Sequence, residues 1–435
     1  MTQPTSGIWA GLARADITPP VGTPSIGYAG RGPLTRQHDP LLAAALVLVE
    51  GEKRVVLLTC DLLGLDDQTV AQVRETIQAR TGIDRDAVMV TCTHTHYGPD
   101  AFRNRANPIV AAYRANLIHV LAGTTQEALD NIQPVLLGIG WGRSDIGINR
   151  REKRPDGQVI LGQNPDGPKD PAVGVLRMDD ADHNPVACLV NFQCHPVSQT
   201  GSVDHISADY PGAMRVVVEH LTGSTCLFVQ GACGDINAVR MESCYEPART
   251  LGMQLGCEVV RVWEQIEPQP ASGLDVFSKV AHLPRMRYGS KENAAALVAE
   301  LEEERQRLDR KGVLENHLWW VDLRLEHARK ALRSWTDGVS SPVEAEVQAM
   351  RVGNWSMVGA PGEIFNQIGV QVKETSPWAD TFFAGYANGY IGYVPMPGAY
   401  PDGGYEVTMA SRVDPEAAGI LTGDCVQVLH RLAGP

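Results

Sequence analysis

Two histidines separated by one residue, His94 and His96, are the strongest chemical signal in the sequence. They follow an apolar run, residues 87–92, that is typical of a buried strand, and Gly98 and Pro99 then predict a turn. Because side chains alternate along a strand, an HxH pair at a strand end directs both imidazoles to one face. Two converging neutral imidazoles are part of the ligand set that Zn²⁺ needs, although a polar strand face would show the same spacing.

Two further residues lie where loops of an α/β sheet gather functional groups. His195 follows the apolar run 187–192, a second predicted strand, and precedes a proline. Glu363 follows a Gly-Ala-Pro-Gly turn and is predicted to begin a helix that extends to about Val372. A glutamate in a first helical turn also stabilises the helix dipole, so its position alone leaves its role open. Other histidines in helical or polar surroundings are not expected to be ligands: His119, His183, His220, His282, His317, His327 and His430.

Periodicity and turn signals predict the elements that position these residues. Apolar runs predict strands at 42–49, 54–60, 226–229, 343–351 and 355–359. The first two and the last two of these runs are each separated by a short turn and are predicted to form β-hairpins. Spacing of apolar residues and a proline near the start predict helices that end near Gly82 and at about Leu221.

Residues 290–335 differ in composition from the rest of the chain, being rich in Glu, Arg, Leu and Ala. Leucines at helical spacing on both sides of Gly312 predict a helical hairpin, inserted as a packing element or a lid. Trp319 and Trp320 are candidates for apolar contact with a ligand, although core packing is their commoner role. Without repeats or linkers, residues 1–435 are predicted to be one α/β domain, with a mixed β-sheet core flanked by helices.

Composition excludes several classes of protein. The chain has 38 Lys+Arg against 51 Asp+Glu, a formal charge of −13, which argues against nucleic acid or anionic membrane as a partner. We expect neither a signal peptide nor a transmembrane helix, and no stable membrane association. Nine cysteines without a CxxC pair predict buried thiols in a reducing compartment, hence a cytoplasmic location. The sequence leaves homo-oligomerisation open.

Several motifs, in this order along the chain, resemble those of the neutral/alkaline non-lysosomal ceramidase family. They are ADITPP and GYAG near the N-terminus, THTHYGP, the strand that leads to His195, GACGDIN, APGEIF and NGYIGYVP. The resemblance extends from about Asp16 to Glu406 and is to the N-terminal catalytic domain of the family. It implies a ceramidase-like catalytic-domain fold and hydrolysis of an amide bond.

The resemblance also implies one zinc ion, held by the first histidine of THTH, a later strand-end histidine, the glutamate of PGE and a tyrosine. These positions correspond to His94, His195, Glu363 and Tyr393. Tyr405, twelve residues after Tyr393 and followed by a glutamate, matches a second tyrosine of the family that contacts the substrate.

Three more positions are assigned by the resemblance. His96 matches the histidine that contacts the scissile group, and Arg150 matches the arginine of an Asn-Arg segment that contacts the substrate. Asn237 stands where the family's Gly-Asp-x-Ser segment has serine. A carboxamide is no nucleophile, but it can donate a hydrogen bond to an oxyanion or orient a water. The departure favours a zinc-water route over a serine-acyl route.

These observations predict a zinc-dependent hydrolase that cleaves a carbon–nitrogen amide bond by metal-activated water, with His96 giving a proton to the leaving amine. The sequence extends about 30 residues beyond Tyr405, and we therefore expect the family's C-terminal immunoglobulin-like domain to be absent. It also shows no basic amphipathic helix to dock on lipid. We therefore expect a small-molecule amide that is smaller and more soluble than ceramide.

Two alternatives from other classes stay open. An amidohydrolase-type (β/α)₈ barrel would act as a metal-dependent lactonase or esterase, but the predicted β-hairpins argue against it. A zinc-stabilised binding protein would have lost catalysis together with the serine. A metallo-β-lactamase requires HxHxDH, and Gly98 and Pro99 occupy the last part of that pattern.

Overall fold

The structure is a computed structural model, and it describes residues 7–103, 107–312, 315–338 and 341–434. The strands are β1 Trp9–Asp16, β2 Arg36–Gln37, β3 Leu42–Glu50, β4 Lys53–Cys60, β5 Val88–Cys92, β6 Gln133–Arg143, β7 Gly147–Lys153, β8 Val159–Asn164, β9 Ala172–Asp180, β10 Pro185–Phe192, β11 His205–Ile206, β12 Thr225–Gln230, β13 Ile236–Ala238, β14 Gln269–Pro270, β15 Leu274–Leu283, β16 Val343–Val352, β17 Trp355–Gly359, β18 Glu363–Ile364, β19 Asp380–Ala384 and β20 Tyr393–Val394. The α-helices are α1 Asp67–Thr81, α2 Pro108–Asp130, α3 Asp209–Thr222, α4 Glu246–Trp263, α5 Lys291–Arg310, α6 Glu315–Asp337, α7 Asn366–Thr375, α8 Tyr405–Thr408 and α9 Ala417–Ala433.

Two open β-sheets form the centre of the molecule. The larger has the order β12-β10-β9-β6-β1-β3-β4-β5, with β14 paired to β6, and the smaller has the order β15-β16-β17-β19. Both sheets are mixed: the pairs β4–β5, β10–β12 and β17–β19 are parallel, whereas β1–β3 and β15–β16 are antiparallel. The strand order excludes the (β/α)₈ barrel, which needs a closed sheet of parallel strands.

The sheets pack face to face, and helices cover their outer faces. Strand β3 shows the arrangement, because Ala43, Ala45 and Val47 lie in the core beneath helices α1 to α4. Leu46 and Leu48, which alternate with them, lie in the core between the two sheets. A strand covered on both faces is apolar throughout, which explains the unbroken apolar run in the sequence. Helices α7 and α9 contribute to a third core on the smaller sheet.

The predicted α/β class, with a mixed-sheet core flanked by helices, is confirmed. Both predicted β-hairpins are present as β3–β4 and β16–β17. Helix α1 begins after Asp66, whose side chain accepts a hydrogen bond from the amide of Thr69, and ends at Gly82 with a left-handed φ of 71°. Within the described ranges, no helix combines the length and the apolar composition needed to cross a membrane.

Helices α5 and α6 form an antiparallel pair. Arg305 is 2.6 Å from Asp322, and Glu302 is 2.7 Å from Arg329 on the same two helices. The pair encloses a small apolar core of its own: Leu301, Leu308, Val321, Leu325 and Ala328. The assignment of residues 1–435 to one domain, with residues 290–335 as an insertion, stays a prediction.

The carboxyl ends of strands from both sheets meet at one place. The amide of Gly231 donates to the carbonyl of Phe192 at 2.8 Å and joins the ends of β10 and β12. The amide of Gly385 donates to the carbonyl of Gln230 at 2.9 Å and joins β12 to the end of β19 in the other sheet. Loops that leave the carboxyl ends of parallel strands commonly form sites in α/β proteins.

A buried ion pair anchors the loop after β4 at this junction. Asp61 accepts from both terminal nitrogens of Arg215 on α3, at 3.0 Å from Nη1, and from the amide of Leu42 at 2.9 Å. The next two carbonyls of this loop hold His94: that of Leu62 accepts from its amide and that of Leu63 from its ring. The Asp61–Arg215 ion pair therefore both stabilises the sheet and fixes the loop that positions His94, a candidate metal ligand.

We expect Arg215→Ala to lower the free energy of unfolding by about 3–5 kcal/mol, because it leaves the buried Asp61 carboxylate without its cation. Arg249→Ala is the matched control, since Arg249 pairs with Glu246 on the exposed face of α4, where such a pair contributes at most about 1 kcal/mol. Urea unfolding of both variants measures the difference. Equal losses in the two variants would contradict the anchoring role of Asp61.

Candidate metal and catalytic site

Three imidazoles converge beside the joined strand ends. His94 and His195 are fully buried and His96 is half-buried, and one ring nitrogen of each lies within 4.8 Å of the others. Nε2 of His94 is 3.1 Å from Nε2 of His96. Imidazole nitrogens grouped in this way form the kind of donor set that binds a divalent transition metal.

The rings of His94 and His195 are each fixed through Nδ1. Nδ1 of His94 is 2.7 Å from the carbonyl oxygen of Leu63. Nδ1 of His195 is 2.6 Å from the carbonyl oxygen of Cys233 and 3.1 Å from that of Ile236. Because a carbonyl only accepts, the proton is on Nδ1 in both rings, and Nε2 presents a lone pair to the cluster. Metal-binding histidines are commonly oriented by such a hydrogen bond.

His96 is positioned differently. Its Nδ1 is buried and has no hydrogen-bond partner among the described residues. The ring lies against Gly27, where a Cβ would be only 2.8 Å from Nδ1, and Gly27 has a φ of 103°. The absent side chain of Gly27 thus makes the space that His96 occupies.

The two histidines of the HxH pair face one point, but strand alternation is not the reason. Strand β5 ends at Cys92, and His94 has a left-handed φ of 68°, which is strained for a residue with a side chain. The ring of Tyr386 stacks on that of His94 at 4.0 Å and holds it in place. The predicted strand end at Cys92 is confirmed, but the alternation of side chains inferred for the HxH pair does not extend to His94 and His96.

Glu363 does not begin a helix, contrary to the sequence prediction. It lies on the two-residue strand β18, which pairs in parallel with β20, so that Glu363 is in register with Tyr393. Helix α7 starts only at Asn366. At Gly362 a Cβ would be 2.4 Å from the carbonyl oxygen of Gly392, so glycine is required for the two strands to approach.

The carboxylate of Glu363 completes the donor set. Its Oε2 is 3.0 Å from Nε2 of His195 and 3.6 Å from Nε2 of His94. Its Oε1 accepts a hydrogen bond from the hydroxyl of Tyr390. Although burial raises it, the pKa of this carboxyl is held well below its usual range by the neighbouring imidazoles. Glu363 is therefore ionised.

His195 and His96 are in the neutral form that binds metals. Burial and, second to it, the charge of Arg150 lower the pKa of His195 to about 4. Burial also lowers the pKa of His96 well below its usual range, and His94 and His195 lower it further. Both rings therefore lack the extra proton at physiological pH and have a lone pair available.

Arg150, on β7, connects the predicted residues to one another. Its Nη2 donates to the hydroxyl of Tyr393 at 2.9 Å, and its Nε donates to Glu406 at 2.7 Å. Its Nη1 is 3.2 Å from Oδ1 of Asn237 and 3.4 Å from Nε2 of His195. The structure thus brings Arg150 and Asn237 beside the donor set, but neither side chain belongs to the wall of the cavity described next.

A cavity of about 490 Å³ opens onto this site. Its wall includes His94, His96, Glu363, Tyr393 and Tyr405. The rings of Tyr393 and Tyr405 are 5.7 Å apart and nearly perpendicular. Five of the eight residues predicted for the site therefore face one enclosed space.

The helical hairpin covers part of this cavity. Leu297 and Leu301 of α5 and Trp320 and Leu323 of α6 contribute to its wall. The ring of Trp320 stacks on that of Tyr405 with centroids 6.1 Å apart. The side chain of Trp319, the other predicted contact, lies outside the described part of the structure.

Three residues of the site were not assigned a role from the sequence. Tyr390 donates to Glu363, Tyr386 stacks on His94, and Glu406 neutralises Arg150. The concentration of tyrosines between residues 386 and 393 was a usable signal for the first two. Glu406 is separated from Arg150 by 256 residues, and nothing in the local sequence indicates the pair.

Comparisons with known proteins identify the family of the chain. Residues 9–236, just over half of the chain, match the family described as neutral/alkaline non-lysosomal ceramidase, N-terminal. The chain is 24% identical to a neutral ceramidase of Pseudomonas aeruginosa, covering 91% of this chain and 68% of that protein. It is 28% identical to neutral ceramidase A of Dictyostelium discoideum, covering 49% of this chain and 32% of that protein.

Solved structures show the same fold. The crystal structure of neutral ceramidase from Pseudomonas aeruginosa superposes with a TM-score of 0.74 and 21% identity, covering 99% of this chain and 75% of that one. A ceramidase complexed with C2 superposes with a TM-score of 0.75 and 20% identity, covering 98% and 75%. The motifs that resembled this family thus belong to a chain with its fold and its sequence pattern. The chain belongs to the neutral/alkaline non-lysosomal ceramidase family and is a hydrolase.

Proposed function

We propose that the protein is a zinc-dependent amide hydrolase in which His94, His195, Glu363 and Tyr393 hold one zinc ion. The observation that carries the proposal is the buried set of two Nδ1-anchored imidazoles and an ionised carboxylate, of which His94 and Glu363 line the cavity. Neutral imidazole nitrogens and a carboxylate oxygen are donors that suit Zn²⁺. When bound, zinc would supply Lewis acidity, which acidifies water and polarises the amide carbonyl.

His96 is proposed to transfer a proton to the leaving amine. Its Nδ1 is not committed to a carbonyl, unlike Nδ1 of His94 or His195, so no carbonyl fixes its tautomer. A general acid must exchange its proton within each catalytic cycle, and a ring locked in one tautomer cannot do so as readily. The position of His96 on the cavity wall gives it access to the substrate.

Tyr405 is proposed to donate a hydrogen bond to the substrate oxygen. Burial raises the pKa of its hydroxyl to about 12, so the group keeps its proton at neutral pH. A positioned donor of this kind stabilises the negative charge that develops on the oxygen in the transition state. Tyr405 is fixed for this role by stacking on Trp320.

Arg150 and Asn237 are proposed to position rather than to attack. Although burial lowers it, the pKa of Arg150 is raised well above its usual range by Tyr393, Glu406 and Glu363, so the guanidinium stays charged. It orients the Tyr393 hydroxyl by direct donation, and Asn237 accepts from it. An amide side chain at position 237 cannot form an acyl intermediate, which leaves water as the nucleophile.

The proposed substrate is a small-molecule amide that is more soluble than ceramide. A cavity of about 490 Å³ is of the size that encloses a drug-sized ligand, and the helical hairpin forms part of its wall. We also propose a cytoplasmic location, in support of which all nine cysteines, each within the described ranges, are free thiols. The acidic charge supports a function without nucleic acid or stable membrane association.

The ligand set is tested by His195→Ala. We expect zinc affinity to fall by far more than the roughly 10–100-fold that loss of a supporting hydrogen bond costs, because a ligand itself is removed. His205→Ala is the control, since His205 is also buried but bonds Gln199 outside the cluster. Elemental analysis after dialysis against a chelator measures the retained metal. Full zinc content in the His195 variant would refute the assignment.

The role of His96 is tested without touching the histidine. Gly27→Ala would place a methyl group 2.8 Å from Nδ1 of His96 and displace the ring. We expect kcat to fall about 10²–10⁴-fold, the contribution of a general acid, with the zinc content unchanged. Gly30→Ala is the control, since Gly30 also has a positive φ but open space around it. Equal kcat in the two variants would contradict proton transfer by His96.

Substrate size is tested by a direct comparison of kcat/KM. We expect a short soluble N-acyl amide to be hydrolysed with a higher kcat/KM than long-chain ceramide in micelles, because the enclosed cavity suits the smaller ligand. Release of free amine from each substrate, at matched zinc loading, measures the ratio. Ceramide preferred by more than about tenfold, about 1.4 kcal/mol of transition-state stabilisation, would overturn this part of the proposal.

A further inference from the structure

The cavity wall carries a second group of polar side chains besides the proposed zinc ligands and Tyr405. Four arginines contribute to it: Arg31, Arg103, Arg324 and Arg412. The acidic residues on the same wall are Asp100, Glu304 and the proposed ligand Glu363. Glu304 is already paired with Arg324 at 3.6 Å. The enclosed space outside the zinc site is therefore rich in cations.

Arg412 has no carboxylate at ion-pair distance among the described residues, although the charge of Glu326 acts on it from farther away. Within the described ranges its guanidinium forms neither a hydrogen bond nor an ion pair. Burial and then the charges of Arg103 and Arg285 lower its pKa to about 10, and it remains charged at neutral pH. A buried cation without a partner is costly to the fold.

Two arginines that are buried elsewhere in this protein are neutralised by carboxylates. Arg150 donates to Glu406 at 2.7 Å, and Arg74 donates to Glu346 at 2.8 Å. At these two positions the fold supplies a carboxylate to the buried arginine. At Arg412 it supplies a cavity instead.

His327 adds a second unsatisfied donor on the same wall. The sequence analysis does not expect this histidine to be a metal ligand, and the structure shows that it lines the cavity. Its Nδ1 is 3.4 Å from Nη1 of Arg285 and can only accept from that donor, so the ring proton is on Nε2. Nε2 is buried and has no partner among the described residues. Arg412 and His327 therefore both offer N–H groups that the protein leaves without an acceptor.

This cationic wall adjoins the proposed zinc site. A Cβ on Gly392 would lie 3.5 Å from Nε of Arg412. The carbonyl of the same Gly392 accepts from the amide of Glu363 at 2.9 Å, and the next residue is Tyr393. One backbone segment thus borders both Arg412 and two of the proposed zinc ligands.

We propose that Arg412 and His327 form an anion-binding subsite, and that the substrate is an amide with a carboxylate group on one arm and an apolar chain on the other. This inference rests on the proposed amide hydrolysis and names the class of amide. The apolar arm would lie against Leu297, Leu301 and Leu323 of the helical hairpin. The carboxylate belongs either to the amine half, as in an N-acyl amino acid, or to the acyl half, as in an amide of a dicarboxylic acid.

Binding is measured separately from hydrolysis, with the zinc-loaded full chain. The probe is a ketone in which a methylene replaces the amide nitrogen of N-hexanoylglycine, and its carboxamide counterpart is the neutral reference. We expect the carboxylate probe to bind wild-type protein about 10–100-fold more tightly than the carboxamide by calorimetry, as a charge-assisted contact predicts. Equal affinities would overturn the subsite.

Variants assign the preference to Arg412. Arg412→Gln should bring the affinity ratio close to one without weakening the carboxamide, and Arg412→Lys should retain part of the ratio. The exposed Arg85, replaced by Gln, is the control and should leave the ratio unchanged. The melting temperature of Arg412→Gln should be equal to or above that of wild type, because an unpaired buried charge is removed. An affinity ratio in Arg412→Gln equal to that of wild type would overturn the subsite. A large loss of melting temperature in this variant would also overturn it and would indicate a structural role for Arg412.

Hydrolysis assays then separate the two proposals. Preferential cleavage of N-hexanoylglycine over its carboxamide supports both, and comparison with N-pentylsuccinamic acid shows which half carries the carboxylate. Tight carboxylate binding without cleavage of any of these amides would support the subsite and refute the amide hydrolase. If N-hexanoylglycine and its carboxamide are cleaved with equal kcat/KM, and the two ketone probes bind with equal affinity, the amide hydrolase is supported and the anion-binding subsite is overturned.

Discussion

The buried carboxylate of Glu363 is the constraint on which the rest of the site depends. An ionised carboxylate with 4% of its residue surface exposed is stable only among groups that donate to it or carry opposite charge. Tyr390, from a loop of the smaller sheet, donates to Oε1, and Oε2 faces Nε2 of two imidazoles from the larger sheet, an arrangement that a bound cation would satisfy. Satisfying one carboxylate therefore requires that the ends of both sheets meet.

Short elements achieve this meeting, and they could not have been predicted. Strand β18 has two residues and pairs with β20, another strand of two residues about 30 positions later in the chain. No periodicity can be read from so short a segment, so the glutamate was assigned to a helix by its proline-glycine turn. Elements with local signals were predicted well: Gly82 ends α1, and the β3–β4 hairpin lies at the expected residues.

Among the side chains of the site, too, those with a local sequence signal could be predicted and those set by contacts between distant segments could not. The HxH pair was visible as two histidines one residue apart, but a stacked tyrosine and a left-handed φ, not strand alternation, orient His94. The assignments of Tyr393 and Tyr405 came from the family resemblance, since isolated tyrosines carry no signal of their own. The Arg150–Glu406 pair and the unpartnered Arg412 depend on contacts between distant segments, and only the fold shows them.

The most direct test of a zinc site at this junction is X-ray absorption at the zinc edge on the purified protein. We expect one zinc per chain, with nitrogen and oxygen ligands at roughly 2.0–2.2 Å and the scattering pattern of imidazole. Cys233 lies beside the site, with its Sγ 3.2 Å from the hydroxyl of Tyr386, so the same spectrum tests for a thiolate ligand. Sulfur at roughly 2.3 Å, or no zinc bound by the wild-type protein, would contradict the proposed His94, His195, Glu363 and Tyr393 centre.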